Sequence, residues 1–148
     1  MLDVLQETLK IALIHEKCLK EAREKLAPFF PLTPEIMDKF TLESIAYCDL
    51  YTTRFTKLHD ILGAKIFRLI VGETGTPTEE MFLIDILNRM EKMNIISSAE
   101  NWEDLREIRM KFALEYLHSD ESQSENLNKL HEMAPELFQT LEKIIRIK

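Results

Sequence analysis

Glycine and proline are scarce in this chain, at 3 and 5 of 148 residues. That removes the turn chemistry a protein of many short strands needs. Apolar residues recur at helical spacing almost throughout, so we expect an all-α helical bundle with no sheet. Cysteine is limited to Cys18 and Cys48, with no CxxC spacing, which favours free buried thiols over a disulfide or a metal site. Positive charge is not in excess. The formal net charge of −7 argues against coating nucleic acid by bulk charge, but leaves room for a small local anion site. A long apolar run is absent, as is a basic–apolar–small leader, so we expect a cytoplasmic protein without membrane contact. Also missing are H-E-x-x-H, G-x-S-x-G and the dinucleotide fingerprint. No two of His15, His59, His118 and His131 stand four apart. We expect no metal and no cofactor.

What is present is one domain's worth of chain, residues 1–148, patterned as an up-and-down bundle of about five helices. Over residues 2–27, Leu2, Leu5, Leu9, Ala12, Leu19 and Leu26 form an apolar stripe opposite a face of mixed lysine and glutamate. The run P-F-F-P-L-T-P ends that helix, with Thr33 as N-cap and Pro34 at the first position of the next. The second helix is expected over residues 35–71. Its seam is Ile45, Cys48, Thr52, Phe55, His59, Leu62, Ile66 and Leu69, in steps of three and four. Gly63 inside it costs about 1 kcal/mol relative to alanine, which a close approach by a neighbouring backbone or simple drift would explain. For His59 and Asp60, a core histidine beside a solvated face is favoured over a catalytic pair. The loop from Gly72 to Thr78 carries a capping box on Thr76, Pro77 and Glu79. A third helix is expected over residues 79–93, apolar around much of its circumference and so buried. Ser97 and Glu100 form another box. The last helix runs in one apolar phase through Leu127, Leu130, Leu137, Leu141 and Ile144, with a kink at Pro135.

The stretch from Glu103 to His118, E-D-L-R-E-I-R-M-K-F-A-L-E-Y-L-H, stands apart. Trp102, Leu105, Ile108, Phe112 and Tyr116 recur at helical spacing, and Arg109 falls near the centre of that stripe. A guanidinium there needs a partner or a cleft. Two readings stay open: an ion pair with an acid such as Asp60 or Asp85, or a functional anion site. Met110, Leu114 and Leu117 make the opposite arc apolar, as though a second surface wanted this helix.

The run Leu105–Tyr116 resembles the signature helix of HEPN domains, especially the HepT-like branch, which typically reads L-R-x-x-R-N-x-x-A-H-x-Y. The segments from Phe82 to Trp102 and from Arg54 to Phe67 resemble the same branch, so the likeness covers roughly Asp49 to Tyr116. It implies a HEPN-like bundle that pairs as a homodimer across its signature helices. It also implies a metal-independent ribonuclease site of arginine and histidine, and a toxin role beside a nucleotidyltransferase antitoxin that in some systems adds AMP to the motif tyrosine. Residue by residue, Arg109 matches the motif arginine and Tyr116 the tyrosine. Met110 stands where asparagine is usual, and Leu114 where the histidine belongs. The expectation is therefore a toxin–antitoxin-type protein with an inactive ribonuclease site. It would bind a partner, a nucleotidyltransferase or a nucleotide, with Arg109 and Tyr116 as phosphate-binding or modification residues and Met110, Leu114 and Leu117 as interface. The alternative is an active endoribonuclease that cleaves RNA using Arg109 with the displaced His118, one turn beyond Leu114.

Overall fold

The computed structural model describes residues 2–112 and 121–148. Within them the chain is helical and carries no strand. The helices are α1 (Leu2–Leu26), α2 (Pro34–Asp38), α3 (Leu42–Ile61), α4 (Phe67–Gly72), α5 (Leu83–Lys92), α6 (Ala99–Lys111) and α7 (Glu121–Ile147). A π-helical turn, Leu62–Ile66, joins α3 to α4 without a break. None of the described helices is long and apolar enough to cross a membrane.

Helix α1 lies along α3, and its Leu5, Leu9, Ala12, Leu19 and Leu26 are buried there, as their spacing predicts. Helix α7 packs against α1, α2, α3 and α6, burying Leu127, Leu130, Ala134, Leu137, Leu141 and Ile144. It continues through Pro135, because the apolar face holds it on the core on both sides of the lost hydrogen bond.

Three helix starts differ from the sequence expectation, each for a local reason. The helix expected over residues 35–71 stops after Asp38 and restarts at Leu42. Thr33 caps α2 as expected, accepting from the Ile36 amide at 3.2 Å. Thr41 then caps α3, accepting from the Ser44 amide at 3.2 Å. Helix α5 begins at Leu83, not near Glu79. Thr76 Oγ1 faces Thr74 Oγ1 at 3.0 Å, and Arg68 Nη1 donates to the carbonyls of Thr78 and Met81 at 2.9 and 3.2 Å. The Phe82 amide turns instead to Asp85 Oδ2, at 3.2 Å. Helix α5 is also only one-sided: Ile86, Leu87 and Met90 are buried, while Ile84 is 49% exposed. The cap of α6 is Ser98, one residue past the expected Ser97, and it accepts from the Asn101 amide at 2.9 Å. Ser97 instead donates its hydroxyl to Glu136 Oε1 at 2.7 Å, tying the α5–α6 connection to α7.

The π-helical turn changes which residues of the second half reach the core. Its one extra residue rotates the rest of the helix by about 100°. The Phe67 amide bonds back to the Leu62 carbonyl, and Ile70 and Val71 are buried where the unbroken pattern pointed to Leu69, which is only half-buried. Gly63 lies in this turn against the indole of Trp102. A Cβ on Gly63 would stand 3.2 Å from Nε1 and 3.4 Å from Cζ2. The close approach is thus made by a side chain and not by a backbone. Trp102 is held on its other sides by the His59 ring, stacked at 5.0 Å and 15°, and by Phe67 at 4.8 Å and 57°.

A polar clamp joins α1, α3 and α7 at the other end. Arg23 Nη1 donates to the Tyr51 hydroxyl at 2.8 Å and to the His131 carbonyl at 2.5 Å. Tyr51 Oη lies 2.8 Å from His131 Nδ1, and Phe30 stacks on the His131 ring at 3.8 Å. Asn128 completes the docking of the α1–α2 connection: its Oδ1 accepts from the Leu32 amide at 2.6 Å and its Nδ2 donates to the Leu32 carbonyl at 3.0 Å. Burial, aided by the Arg23 charge, lowers the His131 pKa to about 4, and burial lifts the Tyr51 hydroxyl to about 12 despite Arg23.

Two outcomes are expected from this packing. Gly63→Val forces the indole off the π-helical turn and should lower stability by about 1–3 kcal/mol in urea unfolding, the usual cost of overpacking. The fold requires His131 neutral, whereas the unfolded chain takes up its proton near the ordinary histidine value. The stability this residue contributes is whole above that value and is lost as pH falls from there towards about 4. Melting temperature should therefore drop across that window, and drop less steeply in His131→Asn, which keeps an acceptor for Tyr51.

Candidate functional site

The site begins with the sequence L-H-D on the last full turn of α3. Burial of Leu58 fixes the rotation of that turn and carries His59 inward, at 5% exposure, with Asp60 at the edge. Helix α6 crosses at this level through Trp102, Leu105 and Ile108, all buried. Its next residue, Arg109, reaches Asp60. The guanidinium grips the carboxylate as a fork: Nη2 donates to Oδ2 at 2.7 Å, and Nε donates to Oδ1 at 3.0 Å and to Oδ2 at 3.2 Å. Asp60 is the first of the two acids named from the sequence.

The same carboxylate holds His59, whose Nδ1 lies 3.1 Å from Oδ1. The three side chains form a relay, Arg109 to Asp60 to His59, that ends on the stacked face of Trp102. Burial opposes the charge on Asp60, but the Arg109 fork and the His59 ring outweigh it and hold the carboxyl below its ordinary range. Burial lowers the His59 pKa in spite of Asp60, with the charges of Arg109 and Arg106 adding to the effect. The ring is therefore neutral at pH 7. An ionised Asp60 can only accept, so the proton sits on Nδ1 and Nε2 carries the lone pair. That Nε2 is buried and has no hydrogen-bond partner among the described residues.

Beside the relay is a cleft of about 300 Å³, lined by His59, Asp60, Gly63, Arg68, Trp102 and Arg106 among others. The π-helical turn forms one wall and α6 the opposite one. Among the described residues no group of three or more His, Cys, Asp or Glu side chains could hold a metal ion.

Of the residues singled out from the sequence, Arg109 lies at this relay and Met110, at 60% exposure, lies on the outer side of α6. Leu114, Tyr116, Leu117 and His118 lie outside the described residues. His59 is a core histidine, as its place in the α3 seam suggested, yet it is also the buried end of a charged relay. Sequence reasoning missed Arg106 and Arg68. Each looks like an ordinary surface arginine on its own helix, and only the crossing of α6 over the π-helical turn brings them to one cleft.

Comparison of the chain with protein families, with curated proteins and with solved structures finds no match.

The Arg109 and Asp60 side chains are 31% and 42% exposed, so water screens the pair and its net worth is about 1 kcal/mol. A double-mutant cycle with Arg109→Met and Asp60→Asn should return a coupling of that size in urea unfolding. Additive effects would mean that the fork contributes nothing to holding α6 on α3.

Proposed function

We propose that this chain is a HEPN-like, HepT-branch protein whose ribonuclease site is inactive. It works by binding a partner, a nucleotidyltransferase or a nucleotide, as one half of a toxin–antitoxin-type pair, and it does so as a homodimer. The observation that carries this reading is the Arg109 fork. In the resembling family the motif arginine is the group that meets the scissile phosphate. Here its Nε and Nη2 are taken by Asp60, so the residue serves to fasten α6 to α3. The substitutions in the motif agree in direction. Met110 presents an exposed thioether where a polar residue is usual, and Leu114 can neither accept nor donate a proton. An apolar edge of this kind suits a protein interface better than a wet RNA cleft.

The test is RNA cleavage by the purified chain beside Arg109→Ala and His118→Ala. The expected result is no cleavage that depends on Arg109. Cleavage lost in both variants would overturn the binding reading in favour of a metal-independent endoribonuclease with His118 as the base. For the partner, co-expression with a nucleotidyltransferase encoded beside it should give a stable complex. A mass gain of one AMP, lost in Tyr116→Phe, would make Tyr116 the acceptor of a transferred nucleotide.

A further inference from the structure

The cleft beside the relay has a charge that runs against the whole molecule. The chain carries a formal net charge of −7, yet this lining holds Arg68, Arg106 and a single carboxylate, Asp60. Asp60 is already engaged by Arg109 and His59, so it does not neutralise the two arginines. Arg68 commits Nη1 to the Thr78 and Met81 carbonyls, which fixes the plane of the guanidinium. Among the described residues Arg106 pairs with Glu103, at 3.6 Å on the exposed face of α6. At the buried end stands the His59 ring, whose Nε2 is itself shielded from solvent.

Two guanidinium groups around one small space are the donors that recognise an oxyanion. The space, about 300 Å³, is at the small end for ligand sites. It suits a compact ligand and not a polymer track. We propose that this cleft binds the oxyanion group of a small ligand, a phosphate or a carboxylate, paired with Arg68 and Arg106. The groups facing His59 are Asp60 on its own helix and Arg106 and Arg109 from α6. Burial keeps the His59 ring neutral, so the charge that faces the ligand is that of Arg68 and Arg106. The family resemblance plays no part in this inference.

Trp102 is the chain's one tryptophan and stacks directly on His59, so its emission reports on the cleft. The full chain is titrated with sodium phosphate and, separately, with sodium acetate, each against sodium chloride at equal ionic strength. Trp102 emission and the ¹⁵N resonances of the His59 ring are followed. We expect a saturable change in both signals with at least one of the two anions and none with chloride. Phosphate alone assigns the ligand as a phosphate ester, acetate alone as a carboxylate, and both as either class. Arg106→Gln and Ala64→Glu change exposed cleft positions that the core does not need. Each should weaken binding by about tenfold or more, while Lys92→Gln, an equal loss of charge on α5, should leave it unchanged. No saturable change with either anion would overturn the proposal, as would an equal change with chloride or binding unaltered in both cleft variants. None of these variants touches Arg109 or residues 113–120, so failure here is distinct from the outcome of the RNA assay.

Discussion

The contact between the indole of Trp102 and the backbone at Gly63 sets the geometry of this half of the molecule. An indole can lie this close to a helix only where no Cβ intervenes, and Gly63 in the π-helical turn stands at that place. With Trp102 seated there, His59 and Phe67 close on its remaining sides. The register of α6 along α3 is then settled. Arg109, two turns further on, comes level with Asp60 as a consequence, and Arg106, one turn on, comes level with the cleft.

The opposite end is organised by a different kind of contact. Arg23, Tyr51 and His131 each come from a different helix and satisfy one another with little help from solvent. Such a network is stabilising only when each member is present and correctly protonated. It therefore makes this end sensitive to acid, whereas the Trp102 end is sensitive to volume. Asn128 extends the clamp by offering the Leu32 peptide a donor and an acceptor in place of a backbone neighbour. Between these ends the core is continuous: Phe55, Leu58 and Leu62 run from one to the other.

Much of the fold was legible in the chain because helical periodicity is a local property. The stripes of α1 and α7, the Thr33 cap and the burial of Phe55 and His59 all arise from spacing within one helix. The misjudged positions have two causes. Thr76 looks like an N-cap until Thr74 takes its hydroxyl, and the expected first turn of the next helix loses two of its carbonyls to Arg68. Leu69 looks like a core residue until the extra residue of the π-helical turn rotates it away and brings Val71 inward. A competing side-chain partner, or a one-residue change of helical pitch, leaves no mark on a periodicity argument.

The candidate site divides along the same line. The sequence by itself determined that Arg109 stands among apolar neighbours and so needs an anion, with Asp60 and Asp85 both candidates, because a guanidinium among apolar side chains is costly without a counter-charge. It also determined that Met110 and Leu114 bring no proton donor or acceptor to that stretch of the chain. Only the tertiary structure decided that Asp60 is shared with His59, that the imidazole is stacked on Trp102 with no partner for Nε2 among the described residues, and that Arg68 and Arg106 line one cleft. Those facts depend on the angle and register at which α6 crosses α3. Side-chain packing between helices sets that crossing, and the pattern along either helix alone does not contain it.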